Sequence, residues 1–215
     1  MAHLLHIDSS ISGDRSVTRK LTARAAAVWR AAHPGGTVTY RDLGANPLPH
    51  LNSETGLARF IPPAERTPVQ AESARLTEEV IAEVRAADTV LLGQPLYNYG
   101  APSAVKSWID HLVAPGRSMD PETREGFLGG GDFVVLSTRG GRYRLGSPRH
   151  GWDHAQTWLP HALSWVGIEA RFITAEMTAV EWVPEMAELR TAAAESLAAA
   201  EREIDALWTP ATANA

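Results

Sequence analysis

The stretch Pro95-Leu96-Tyr97-Asn98-Tyr99-Gly100-Ala101-Pro102 decides how this chain folds. An apolar run over residues 88–93 precedes it and predicts a buried strand. Apolar residues that recur at the spacing of one buried helix face follow it: Val105, Trp108, Ile109 and Leu112. We expect Pro102 just inside that helix, where a missing N–H costs nothing. The order is therefore strand, tight loop and helix.

The loop itself displays two tyrosine rings and the Asn98 amide at the carboxyl end of a strand. Ligands of open α/β sheets bind at that end. Aromatic rings and an amide suit a flat heteroaromatic ligand, with Asn98 and loop N–H groups at its polar edge. The alternative is a tyrosine-bearing turn that packs on its own domain, because motif matches carry a false-positive risk.

Strands and helices alternate along the rest of the chain. The patterns predict strands over residues 3–8, 37–43, 88–93, 132–138 and 169–174. They predict helices over residues 17–32, 68–86, 102–112, 152–166 and 184–207, the fourth broken or kinked near Pro160. This alternation predicts a single α/β domain over residues 1–215, a doubly wound five-stranded parallel sheet with helices on both faces. In the strand order 2-1-3-4-5, the loops after strands one, three and four meet at one edge.

Composition narrows the classes of function. A net charge of −5 disfavours a non-specific nucleic-acid binder. The absence of cysteine excludes disulfides, thiolate metal sites and cysteine nucleophiles, and the eight scattered histidines show no metal-ligand spacing, so we expect no metal. The apolar run that Asp8 ends is too short for a signal sequence or a membrane span. We expect a soluble, cytoplasmic protein without a membrane partner.

A polar loop follows the first strand and leads into the first helix. Ser16 is a good N-cap, and the free N–H groups and dipole of a helix N-terminus attract anions. We therefore expect a phosphate site made by the hydroxyls of Ser10, Ser16 and Thr18 and the backbone N–H of Val17. A capped helix without a ligand is the alternative. Neither GxGxxG nor GxxxxGK[ST] occurs, so both common nucleotide loops are unsupported.

Two further segments are candidates for ligand contact. The fourth strand ends in Ser137-Thr138-Arg139-Gly140-Gly141, where the glycines permit close backbone approach to a ligand. Residues 44–67 form a long irregular loop, of a kind that is usually functional or an interface. Arg59 and Phe60 in this loop could reach a substrate, although for Phe60 we favour a role in anchoring the loop. Each signal is ambiguous alone, but the convergence of three loops favours a ligand site.

Together these loops resemble the FMN-dependent NADH azoreductases, in the flavodoxin-like NAD(P)H:quinone reductase superfamily. The resemblance covers nearly the whole chain and is most specific in Pro95-Leu96-Tyr97-Asn98-Tyr99, close to the family form P-M-Y-N-F. It implies an FMN phosphate at the first loop and the isoalloxazine between the other two. The implied cofactor-binding residues are Ser10, Ser16, Val17, Thr18, Leu96, Tyr97, Asn98, Tyr99, Thr138, Arg139, Gly140 and Gly141.

The resemblance also implies an activity. NADH or NADPH would reduce the flavin by hydride transfer and leave, and a quinone or azo compound would then be reduced in a ping-pong cycle. The flavin carries the chemistry, so no catalytic side chain is expected, with Tyr97 and Asn98 in support. Apart from the resemblance, the sequence itself offers Arg59, Phe60 and Tyr143 as candidates for substrate contacts, and Tyr143, His150 or water as candidate proton donors. The family is dimeric, with each site completed by the partner subunit, so we expect a homodimer.

Departures from the family keep other functions open. Leu96, Tyr99 and Thr138 replace methionine, phenylalanine and serine, and residues 142–152 do not match the common form. A flavodoxin-type FMN electron carrier is disfavoured by the absence of a T-x-T-G-x-T loop. A flavin reductase specialised for one biosynthetic substrate is supported only by residues 142–152. A protein that kept the fold but lost the cofactor is the fourth possibility, whereas a serine hydrolase lacks its G-x-S-x-G elbow.

Overall fold

Five apolar runs form one parallel sheet in the computed structural model, which describes residues 1–208. The strands are β1 (His3–Asp8), β2 (Thr37–Asp42), β3 (Thr89–Pro95), β4 (Asp132–Thr138) and β5 (Ala170–Ala175). Their order is β2-β1-β3-β4-β5, with every pair parallel. All of β3 is buried, as expected for a central strand covered on both faces. The predicted fold class and strand order are confirmed.

Helices cover both faces of the sheet. They are α1 (Val17–Ala32), α2 (Pro68–Ala86), α3 (Ser103–Leu112), α4 (His154–Ser164) and α5 (Arg190–Asp205). Apolar residues of α1 and α5 form one core with alternate residues of β1, β3, β4 and β5. Helices α2, α3 and α4 form the second core on the opposite face. Trp29 and Trp108, one in each core, are both completely buried.

Three details of the helix predictions are wrong. Pro102 is the N-cap of α3 and lies outside the helix. The predicted break near Pro160 is absent, because α4 runs through this residue even though the ring removes one N–H donor, and the alternative of a kink stays a prediction. The expected final helix over residues 184–207 begins as the 3₁₀ helix Pro184–Leu189 and becomes α-helical only at Arg190.

The irregular connections after β1, β3, β4 and β5 all leave the same edge of the sheet, because parallel strands have their carboxyl ends together. No helix among residues 1–208 has the length and apolarity to cross a bilayer. A single domain over residues 1–215 stays a prediction, since its last seven residues lie outside the described ones.

Candidate functional site

A cavity of about 220 Å³ opens at the carboxyl edge of the sheet, where four loops meet. Most of the residues predicted to bind a cofactor line it, and the loop after β5 adds three more. The exceptions are Asn98, Tyr99, Arg139 and Gly141, which do not line it. The lining residues are Ser10, Ser12, Arg15, Ser16, Val17, Thr18, Pro95, Leu96, Tyr97, Thr138, Gly140, Thr178, Ala179 and Trp182.

The N-terminus of α1 forms one end of this cavity. Ser16 caps the helix, as predicted, because its hydroxyl oxygen accepts the Arg19 backbone N–H at 3.1 Å. The N–H groups of Val17 and Thr18 precede the first intrahelical bonds and have no partner among residues 1–208. The Thr18 hydroxyl is already hydrogen-bonded to that of Thr138 at 2.5 Å, which ties α1 to the end of β4. This end therefore offers unpaired backbone donors to an anion.

Arg19 holds the first loop in place. Its Nε and Nη2 donate to the Ser10 carbonyl at 3.1 and 2.7 Å, and its Nη1 and Nη2 donate to the two Asp42 carboxylate oxygens at 2.7 Å each. The hydrogen bonds from Arg19 lower the pKa of Asp42 below its ordinary value of 3.8. Asp42, the last residue of β2, therefore anchors Arg19, and Arg19 in turn holds the carbonyl of Ser10, a residue that lines the cavity.

Asp8, at the end of β1, lies beneath this loop and is almost completely buried. Burial by itself raises its pKa, but His6 and the hydroxyls of Thr22 (2.7 Å) and Tyr40 (3.0 Å) outweigh burial and lower the pKa. Burial and the neighbouring Asp8 charge raise the pKa of Tyr40 to about 12. Asp8 is therefore a fixed anion within the scaffold, hydrogen-bonded below the cavity loop.

The link between Asp42 and Arg19 predicts a pH dependence. Because the folded pKa of Asp42 is depressed, its stabilisation is present above pH 3.8 and is lost as the pH falls through the lower, folded value. We expect the free energy of unfolding to fall less steeply in Asp42→Asn than in the wild type between about pH 5 and pH 3. Denaturant titrations at several pH values measure this slope.

The control is Asp205→Asn, which breaks a similar two-bond pair with Arg24 on the exposed side of α1. Asp42→Asn should also weaken ligand binding at the cavity, because it weakens the anchor that holds Arg19 against the Ser10 carbonyl, whereas Asp205→Asn should leave binding unchanged. Equal effects of the two variants on binding would contradict the positioning role of Arg19.

The tyrosine loop forms the second wall. Tyr97 and Gly100 exchange backbone hydrogen bonds at 3.0 and 2.9 Å, and the residues between them, Asn98 and Tyr99, have φ of 47° and 67°. These left-handed conformations are uncommon outside glycine, and such strain tends to occur at ligand sites. The Tyr97 hydroxyl accepts the Ile11 N–H at 3.2 Å and so connects this loop to the first. Tyr97 lines the cavity.

Tyr99 is directed elsewhere. Its ring meets Trp152 edge-on, with centroids 5.5 Å apart, and Tyr143 at 6.4 Å. Tyr143 is buried beneath this contact and does not line the cavity. The unusual residues 142–152 therefore pack against the tyrosine loop, and Tyr143 belongs to that packing.

The side chain of Arg139 points into the protein, away from the cavity. Its Nε lies 2.7 Å from Asp153 Oδ2, its Nη1 donates to Glu176 Oε1 at 3.0 Å, and its Nη2 donates to Gln156. Glu176 Oε1 also accepts the Tyr143 N–H at 2.7 Å. Asp153 caps α4 by accepting the Gln156 N–H. This buried cluster joins the ends of β4 and β5 to the start of α4.

The same cluster fixes the glycines of the third loop. The carbonyls of Gly140 and Gly141 accept the N–H groups of Ala179 and Met177 at 3.2 and 3.0 Å. Their own N–H groups have no partner in the described part of the chain. Gly140 lines the cavity and Gly141 does not, so of the two predicted donors only Gly140 lies at the cavity wall, and their role in binding a ligand stays a prediction.

Other predicted contacts lie outside the cavity. Arg59 and Phe60 belong to the 3₁₀ helix Ala58–Phe60 in the loop after β2, and neither lines it. Phe60 is 61% exposed, so the prediction that it anchors the loop is wrong. Burial lowers the pKa of Arg59, and its Nε has no hydrogen-bond partner within residues 1–208. His150 is exposed and also lies outside the cavity lining.

Sequence reasoning did not name Ser12 or Pro95 as ligand contacts, although both lie in loops that it had singled out, and it missed Arg15, Thr178, Ala179 and Trp182. Arg15 stands inside the predicted phosphate loop, and its charge was the available signal. The other three come from the loop after β5, where no glycine pair or aromatic motif marks a site. The only signal in that segment of the sequence was its single aromatic residue, Trp182, which the structure shows to be exposed.

Comparisons with known proteins agree with this geometry. The family described as having the flavodoxin-like fold matches residues 2–203. An FMN-dependent NADH:quinone oxidoreductase of Frankia alni is 41% identical over 96% of this chain and 98% of its own length. The protein of that name from Frankia casuarinae is 43% identical over 87% of this chain and 90% of its own.

A solved structure shares the fold at lower identity. The FMN-dependent NADH-azoreductase of Bacillus anthracis, in complex with FMN, superposes with a TM-score of 0.78 and 20% identity over 95% of this chain and 96% of its own. The chain belongs to the flavodoxin-like fold family and, within it, to the group of the FMN-dependent NADH:quinone oxidoreductases. The resemblance seen in the sequence is confirmed.

Proposed function

We propose that this protein is an FMN-dependent oxidoreductase that passes two electrons from NADH or NADPH to quinones, azo compounds or related electron-poor aromatics. The observation that carries this function is the cavity at the carboxyl edge, lined by the loops after β1, β3, β4 and β5. The two Frankia relatives are named FMN-dependent NADH:quinone oxidoreductases. We further propose that it works in the cytoplasm.

The residues present fit FMN. A phosphate group needs hydrogen-bond donors and positive potential, and the N-terminus of α1 supplies the unpaired N–H groups of Val17 and Thr18 beside the hydroxyls of Ser10 and Ser16. A flat ring system needs apolar walls and donors at its polar edge. Leu96 and Tyr97 provide a wall, and Gly140, which lines the cavity, provides an N–H group without a partner among residues 1–208. The N–H of Gly141, the next residue of the loop, also has no partner there.

Bound FMN supplies the acceptance and return of a hydride, so the protein's task is to bind and orient. In this proposal the Gly140 and Gly141 N–H groups and the Asn98 amide stabilise negative charge that develops on the ring. Tyr97 excludes water from one side of the cavity. The described lining residues include no carboxylic acid and no histidine, which supports water as the proton source over the buried Tyr143 and the exposed His150.

We also propose that two copies complete each other's sites. Exposed apolar side chains cluster along the loop after β2 and the start of α2: Leu57, Phe60 and Val69. Arg59 lies beside them, with the carbon of its guanidinium 4.9 Å from the centre of the Phe60 ring. Sedimentation should show a dimer that Phe60→Ser weakens, and a wild-type monomer at enzymatic concentrations would refute this arrangement.

A flavin titration tests the proposed activity. Purified protein should bind added FMN with a shift of both visible flavin bands, and anaerobic NADH should bleach them directly to the two-electron form. Quinones and azo dyes should then restore the oxidised spectrum. If FMN binds but neither NADH nor NADPH reduces it, the electron-carrier alternative is favoured. If no flavin binds, the proposed function is wrong and the family assignment alone stands.

A further inference from the structure

Arg15 ends the 3₁₀ helix Gly13–Arg15 and immediately precedes the N-cap Ser16 of α1. Its side chain lines the cavity and is exposed. Among the described residues that line this cavity it is the only full positive charge. Its backbone N–H donates to the Ser12 carbonyl at 3.2 Å, but its guanidinium makes no hydrogen bond or ion pair with any residue from 1 to 208. Arg19, four residues on, is in contrast fully committed to Ser10 and Asp42.

Without this cation, the charges around the loop would compensate a doubly charged ligand only in part. A phosphate monoester carries about −1.5 to −2 charges at pH 7. The helix N-terminus offers roughly half a positive charge, and the serine hydroxyls and N–H groups are neutral. Below the loop, two carboxylates, Asp8 and Asp42, share one cation, Arg19. The scaffold there has no excess positive charge to offer a phosphate.

Resting on the function proposed above, we infer that Arg15 is the counter-ion of the FMN phosphate and makes the site select FMN over riboflavin. A guanidinium beside a phosphate forms charge-assisted, often paired hydrogen bonds that a lysine does not reproduce. Trp182, from the loop after β5, lines the same cavity. The indole is itself 61% exposed, so the proposed ion pair would remain partly solvated.

The test compares two ligands that differ only in the phosphate. Dissociation constants for FMN and for riboflavin are measured by flavin fluorescence with the wild type, Arg15→Met and Arg15→Lys. Arg15→Met keeps the aliphatic stem and should weaken FMN about 10- to 100-fold, the range expected for charge-assisted hydrogen bonds. It should leave riboflavin binding unchanged and reduce the salt dependence of FMN binding. Arg15→Lys should recover part of the loss.

The control is Lys20→Met, which removes the same charge from the exposed side of α1, outside the cavity lining. It should leave both dissociation constants nearly unchanged because salt screens distant surface charges. The inference is overturned if Arg15→Met binds FMN like the wild type, if it weakens FMN and riboflavin equally, or if Lys20→Met has the same effect. A wild type that binds neither flavin overturns the proposed function as well, which separates the two failures.

Discussion

Replacing Arg139 with leucine should destabilise the protein by about 3–5 kcal/mol, the usual cost of removing one partner from a buried ion pair. Arg139 is 8% exposed and faces two carboxylates, Asp153 and Glu176, that are as deeply buried. Leucine would leave both without their cation in a site that water barely reaches. Chemical denaturation of the wild type and the variant, monitored by tryptophan fluorescence, measures the free energy of unfolding.

Two controls make this expectation specific. Arg24→Leu removes an arginine that donates two hydrogen bonds to Asp205 at the protein surface, where its side chain is 43% exposed, and it should change stability little because solvent screens such pairs. In the Glu176→Gln background, Arg139→Leu should cost less than in the wild type, because one of the two unpaired charges is already gone. Similar losses for Arg139→Leu and Arg24→Leu would show that the cluster does not stabilise the fold.

Arg139→Leu should also weaken flavin binding under conditions in which the variant is still folded. The Arg139 cluster sets the position of Gly140 and Gly141, because Glu176 immediately precedes Met177, whose N–H binds the Gly141 carbonyl. Without the cluster, the two glycine N–H groups are no longer fixed at the cavity. A weaker FMN dissociation constant in a variant whose circular dichroism is still native would show this effect.

Much of the architecture was predictable because burial leaves a simple pattern. The run from Phe133 to Leu136 is unbroken and apolar, which a strand covered on both faces requires. The loops of the site followed from parallel topology alone, since the carboxyl ends of the strands share one edge. The confirmed strand order shows that this reasoning was sound for the scaffold.

The final helix shows a limit of predicting secondary structure from the spacing of apolar residues. Val183, Met186 and Leu189 recur every three residues, which is the repeat of a 3₁₀ helix, and the last two pack against a small cluster around Met177 and Val180. Over six residues, a period of 3.0 cannot be distinguished from one of 3.6. Local sequence therefore indicated helix but not which kind.

The site residues show a second limit. The motif placed Arg139 at the cofactor, but whether its backbone or its side chain faces the cavity depends on Asp153 and Glu176, far along the chain. In the same way, the edge-on contact with Trp152 directs the Tyr99 ring away from the cavity. Motifs locate a segment, whereas long-range partners decide the direction of each side chain.

Gly44→Ala should weaken FMN binding from outside the cavity. Gly44 follows β2, and a Cβ at this position would lie 2.4 Å from the Ser10 carbonyl oxygen and 2.9 Å from Arg19 Nη2. The carbonyl is backbone and is held by two hydrogen bonds from Arg19, so it cannot move without moving the first loop. We expect a stability loss of about 1–3 kcal/mol, as for other overpacked sites, and a weaker FMN dissociation constant.

Gly100→Ala is the matched control, because Gly100 belongs to the tyrosine loop but its added Cβ would meet nothing closer than Tyr97 O at 3.9 Å. That variant should fold at least as stably as the wild type, since alanine restricts the unfolded chain, and should keep FMN affinity. In Gly44→Ala, riboflavin should be weakened less than FMN, because the displaced Ser10 lies at the phosphate end of the proposed site. If Gly44→Ala binds FMN as the wild type does, the first loop tolerates displacement of Ser10, and Arg19 does not position it for binding.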